Sequence, residues 1–88
     1  MYHLEKTKKY IKDCQFFEKN DPITYRKIKR IEKILEINPF FEFAKKERLK
    51  FKNVPTFSMR LTREHRLIFS VNGEKILVEL LSCKGHYE

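Results

Sequence analysis

The chain predicts an α+β fold in which two N-terminal helices pack on a twisted antiparallel β-sheet. Three observations predict it. Between Tyr10 and Leu35, apolar residues recur at three- and four-residue spacing, the period of a helix with one buried face. From Thr56 onward apolar and polar residues alternate, the period of a strand with one buried face. Asn72-Gly73 separates two of the later runs, and that dipeptide is a strong hairpin signal. The 88 residues form a single domain, 1–88, with room for one small core.

The elements follow in order. Tyr2 to Lys6 reads as a short edge strand. Thr7 caps a first helix running to about Lys19, with Tyr10, Cys14 and Phe17 on one face. Asp21 is a good N-cap and Pro22 suits the first position of a second helix. That helix repeats Ile at 28, 31 and 34, carries Arg26, Lys27, Lys29, Arg30 and Lys33 on its other face, and stops at Asn38-Pro39. "ERLKF" is a short strand. "TFSMRL", "RLIFSV" and "ILVELLSC" are three longer ones. Their apolar faces meet the helices, which gives the order helix, helix, antiparallel sheet.

Composition excludes several function classes. Two glycines leave no Gly-rich loop for a nucleotide phosphate. Cys14 and Cys83 lie far apart with no CxxC, and with His3, His65 and His86 they share no metal-ligand spacing. No metal or cofactor is expected, and the cysteines read as small buried hydrophobes in a reducing compartment. The apolar run "ILVELL" is short and broken by Glu79, and the start "MYHLEKTKKY" has no apolar signal region. A cytoplasmic protein with no membrane partner is expected. Twenty Lys and Arg against twelve Asp and Glu give +8, which points to a polyanionic partner such as nucleic acid or an acidic protein.

The hairpin places the side chains. A two-residue Asn72-Gly73 loop pairs Val71 with Glu74, Phe69 with Ile76, Leu67 with Val78 and Arg66 with Glu79. Arg60 and Arg66 then point away from the helices, and the last strand delivers His86 and Tyr87 to the rim of that surface. Cleaving RNA without a metal needs a base for the 2′-hydroxyl, cations for the phosphorane and an acid for the 5′-oxygen. His86 suits the acid, since histidine titrates near working pH. Arginine's planar fork matches phosphate oxygens. Glu47 sits among Lys45, Lys46, Arg48 and Lys50, and these charges favour its ionised form and lower its basicity. His65 falls at a turn and is second choice for acid–base work.

The run "ERLKFKNVPTFSMRLTREHRLIFSV", followed by a terminal "CKGHY", resembles the YoeB/Txe toxins of bacterial toxin–antitoxin modules. The resemblance implies a RelE-like fold and a ribosome-dependent mRNA endonuclease that inhibits translation by cutting message in the A site. It makes Glu47 the base, Arg60 and Arg66 the phosphate clamps, His86 the acid and Tyr87 a substrate-orienting group. Lys50, His65 and Lys84 complete the RNA- and phosphate-binding set. The implied partners are a cognate YefM-like antitoxin, whose disordered acidic segment folds over the basic sheet, and the 70S ribosome with its mRNA. Operator DNA is reached only through the antitoxin complex, and a homodimer is compatible with the resemblance. Two features depart from the family: Met59 precedes Arg60 where a second Arg is common, and Glu88 follows Tyr87. Glu88 sets a carboxylate near His86, which raises its pKa.

Two rivals remain. A ParE-like toxin of the same fold binds DNA gyrase and cuts no RNA. A plain basic nucleic-acid binder shows strongly salt-dependent binding without cleavage. The joint presence of Glu47, two arginines and the His-Tyr ending favours the nuclease. On that reading, deleting Gly85 to Glu88 ends cleavage while helical circular dichroism and thermal midpoint stay nearly unchanged. A truncated chain that still cuts would remove the terminal residues from the mechanism.

Overall fold

Thr7 opens the first helix and also fastens it to the sheet. Its hydroxyl accepts from the Tyr10 N–H at 3.1 Å and donates to the Leu81 carbonyl at 2.7 Å. The computed structural model describes residues 1–40, 46–48 and 54–85, with 46–48 described by backbone alone. Within these, β1 (His3–Lys6), α1 (Lys8–Asn20), α2 (Pro22–Ile37), β2 (Lys46–Arg48), β3 (Thr56–Arg60), β4 (Arg66–Asn72) and β5 (Leu77–Ser82) follow in order. The α+β class holds, with both helices where the caps placed them. Asp21 accepts from the Thr24 N–H at 3.2 Å and from the Thr24 hydroxyl at 2.6 Å. These bonds hold its carboxyl below the usual carboxylate range.

The sheet has the order β1-β5-β4-β3-β2. It is antiparallel except at one edge, where β1 runs parallel to β5 with Leu4 opposite Val78. That pair lets the first and last strands close one side of the core, and the Thr7 N–H extends its ladder to the Leu80 carbonyl at 3.1 Å. The core lies between the helices and one sheet face. Tyr10, Phe17, Ile28 and Leu35 from the helices meet Met59, Leu67, Phe69, Val71, Val78 and Leu80 from the strands. Met59 is buried there, as its place in the alternation predicts. The strand expected at 47–51 is described only at 46–48; 49–51 lie outside the described residues.

The hairpin differs from the expected one. Asn72 pairs with Leu77, Val71 with Val78, Phe69 with Leu80 and Ser70 with Glu79. The loop therefore holds Gly73 to Ile76, and the pairing of Arg66 with Glu79 does not form. The Asn72 side chain accepts the Lys75 N–H three residues on at 3.1 Å, a local side-chain-to-backbone bond that stabilises the wider turn. The shift is even, so the same residues still face the core. Alternation alone is blind to such a shift. The observed register places Val78 and Leu80 against Val71 and Phe69 and leaves Glu74 and Lys75 in solvent.

Ile76 closes this loop at φ 52° and is half exposed. A β-branched side chain at positive φ is strained, and asparagine tolerates that region far better. Ile76→Asn should therefore raise the thermal midpoint by a few degrees. Leu80→Ala, which empties a fully buried site, should cost about 2–5 kcal/mol. Thermal and urea unfolding check both; a destabilised Ile76→Asn would mean that the loop is not strained.

Candidate functional site

Strand pairing carries residues far apart in sequence into one row across the sheet. The Cα of Glu47 in β2 lies opposite that of Ser58 in β3. The Ser58 hydroxyl accepts from Arg66 Nη1 at 3.2 Å. The Arg66 N–H in turn donates to the Gly85 carbonyl at 3.1 Å. Arg60 pairs with Arg66 across β3 and β4. It is exposed, and its Nε makes a long contact of 3.4 Å to the Thr62 carbonyl. Two guanidinium groups on neighbouring strands create a positive surface, the setting in which an anion is favoured.

A break in register puts Gly85 in this row. Phe69 pairs with Leu80, but the next residue back, Ile68, pairs with Ser82. Leu81 is the extra residue of a β-bulge, a device that redirects the strand beyond it. One residue past Ser82, Cys83 is fully buried, its Sγ 3.9 Å from that of Cys14. The hydrogen bond to Cys14, together with burial, pushes the Cys83 thiol up and keeps it protonated.

From Cys83 to Gly85 each backbone N–H is held by a side chain. Asp13 Oδ2 accepts from the Cys83 N–H at 3.0 Å and from the Lys84 N–H at 3.2 Å. His65 Nδ1 accepts from the Gly85 N–H at 3.0 Å. Lys9 Nζ bridges to Asp13 at 2.8 Å and reaches the Lys84 carbonyl at 3.4 Å. Gly85 has φ 96°, a conformation that side-chain-bearing residues adopt rarely. The Lys84 ammonium lies 4.5 Å from the centroid of the Phe16 ring.

His65 is itself fixed. Its N–H donates to the Thr62 hydroxyl at 3.1 Å, and its carbonyl accepts from the Leu61 and Thr62 N–H groups. Its ring meets the Phe17 ring edge to face with centroids 5.1 Å apart. Nδ1 is thereby taken up as an acceptor, which leaves Nε2 as the ring nitrogen without a role in holding Gly85.

The structure thus brings Arg60, Arg66 and the backbone of Glu47 together, and draws the end of β5 to Arg66. Lys50, His86 and Tyr87 lie outside the described residues. Among the described residues, no group of three or more His, Cys, Asp and Glu could hold a metal ion, and no helix is long and apolar enough to cross a membrane. Sequence reasoning passed over Ser58 and Asp13. Asp13 carried a legible signal: it lies with Tyr10, Cys14 and Phe17 on the core face of α1 and is buried. An acidic residue at a core position demands hydrogen-bond partners.

The model for the YoeB-like toxin of bacterial type II toxin–antitoxin systems matches residues 6–87. The chain belongs to this family. It is 30% identical over 76 residues to a Toxin YoeB of Synechocystis, covering 86% of each chain. Its structure resembles the YoeB/ParE toxin from Agrobacterium tumefaciens at 30% identity and a TM-score of 0.85, over 99% of this chain and 100% of that one. It also resembles the YoeB of a heterotetrameric YoeB–YefM complex from Staphylococcus aureus at 28% identity and a TM-score of 0.77, over 99% of both chains. The YoeB resemblance read from the sequence is thereby established, along with the RelE-type α+β fold.

Asp13 gives this region its measurable signature. Asp13→Ala leaves two backbone N–H groups without their acceptor and should cost roughly 2–5 kcal/mol. Both bonds go to the one oxygen Oδ2, so Asp13→Asn, which keeps an acceptor oxygen, should cost less than Asp13→Ala. Urea unfolding with unchanged slope measures both; equal losses would mean that the carboxylate's hydrogen bonds to the end of β5 are not the source.

Proposed function

We propose that the chain is a ribosome-dependent endoribonuclease that inhibits translation by cutting mRNA in the A site, and that a YefM-like antitoxin neutralises it. The observation that carries this reading is the row from Glu47 through Ser58 and Arg66 to Gly85, after which the chain continues into His86 and Tyr87. Family membership and the +8 charge support it.

The chemistry divides among few groups. Glu47 takes the proton of the 2′-hydroxyl, whose oxygen attacks the adjacent phosphorus. Arg66 and Arg60 stabilise the added negative charge, Arg66 from a guanidinium already steadied by Ser58. His86 gives its proton to the departing 5′-oxygen, and Tyr87 orients the substrate. The products are a 2′,3′-cyclic phosphate and a 5′-hydroxyl. Lys50 and Lys84 add phosphate contacts. The cations flanking Glu47 make it a weak base, so the ribosome completes the site and free RNA is cut slowly or not at all. The antitoxin's acidic segment covers the same basic surface.

The test maps message ends in a reconstituted translation reaction with and without ribosomes. Cuts should appear only with ribosomes, at A-site positions. His86→Gln should slow them by about 10²–10⁴-fold, the usual worth of a general acid, while ribosome binding persists. Because Gly85 is tied to His65 and Arg66, removal of 86–88 alone is a cleaner truncation than one that includes Gly85. Intact message with the unaltered chain would contradict the reading and favour a gyrase or nucleic-acid binder.

A further inference from the structure

His65 and Asp13 hold the three backbone N–H groups that precede the proposed acid, yet the cleavage chemistry uses neither. Asp13 comes from α1 and His65 from the turn between β3 and β4. Both reach the same short stretch from distant parts of the sequence. Lys9 and the Arg66 N–H take the two carbonyls, at Lys84 and Gly85. The bulge at Leu81 directs the chain here, and Gly85 supplies the positive φ that lets it turn.

We propose that His65 is a positioning residue: through Nδ1 it fixes the Gly85 N–H and so sets the point from which His86 and Tyr87 meet the substrate. The proposal rests on the nuclease reading above. Successive Cα atoms stand about 3.8 Å apart, so whatever anchors Gly85 anchors the origin of the next two residues. A misplacement of about 1 Å can cost 10²-fold in rate. The His65 side chain is well suited to the task. Its backbone is locked by Thr62 and Leu61, and its ring is braced by Phe17, so Nδ1 has little freedom to follow a drifting tail. The Arg66 N–H binds the Gly85 carbonyl from the adjacent position. The residue pair 65–66 therefore grips one peptide unit on each side of Gly85 while Arg66 offers its guanidinium to the phosphate. The phosphate clamp and the residue that precedes the proposed acid thus share a single rigid turn.

The experiment compares His65→Phe, which keeps a ring against Phe17 but has no acceptor, with His65→Asn, which keeps an acceptor at similar reach. His65→Leu serves as the second acceptor-free variant where the larger ring does not fold. The readouts are the cleavage rate on saturating programmed ribosomes, the half-saturating ribosome concentration and the thermal midpoint. The acceptor-free variant should cut at least tenfold more slowly with half-saturation unchanged, and His65→Asn should recover most of the rate. An undiminished rate in a folded acceptor-free variant overturns the proposal. So does an equal loss in His65→Asn, or a loss confined to half-saturation, which would make His65 an RNA contact. If the unaltered chain itself cuts no message, the nuclease reading fails first and the positioning role falls with it.

Discussion

Three consecutive backbone N–H groups, those of Cys83, Lys84 and Gly85, find their acceptors on side chains far away in sequence. The rest of the site depends on this. The last strand of a sheet normally frays once its ladder ends, because unpaired backbone groups then bond to water. Here Asp13 and His65 extend the order three residues past β5 without a further strand. A buried carboxylate that accepts two N–H bonds and a lysine bridge is satisfied on its own account, so the arrangement stabilises both partners at once.

That constraint explains why the core and the site are not separable. Phe17 packs in the core and braces the His65 ring, while Asp13, one helical turn earlier, binds the tail. The buried Tyr10 hydroxyl donates to Glu32 at 2.7 Å and links α1 to α2, with Lys6 and Lys29 balancing the carboxylate. Burial, together with that hydrogen bond, raises the tyrosine's pKa so that it stays a donor. The helix that carries the tail's anchor is thus held in rotation by its own polar contact. The β-bulge then transfers this order to the sheet face opposite the core, where Arg60, Arg66 and Ser58 lie.

Local signals made most of the fold legible. Thr7, Asp21-Pro22 and Asn38-Pro39 mark helix ends because capping is settled within four residues. The core faces followed from period, and Met59 was assigned to the core for that reason. The hairpin was not legible, because even shifts of register preserve the alternation and Asn72 bonds to Lys75 instead of forming the tight turn. The parallel pairing of β1 and the bulge at Leu81 are long-range outcomes with no local signature. Strand alternation and the needs of RNA cleavage singled out Arg60, Arg66, Glu47 and the His-Tyr pair, the resemblance to YoeB toxins assigned their roles, and the structure brings the first three positions into proximity. The partners of the tail were hidden for a simpler reason. An aspartate and a histidine look like surface residues until the backbone groups they serve are known, although a core-facing Asp13 was a clue.

The chain is held in order through Gly85. Amide hydrogen exchange of the free protein at Cys83, Lys84 and Gly85 tests it most directly. Protection at all three should be comparable to that of the β4–β5 ladder, with the Gly85 amide released by removal of the His65 acceptor. Exchange at Lys84 and Gly85 as fast as in an unstructured peptide would contradict it, and would mean that the terminal residues are placed by the partner and not by the fold.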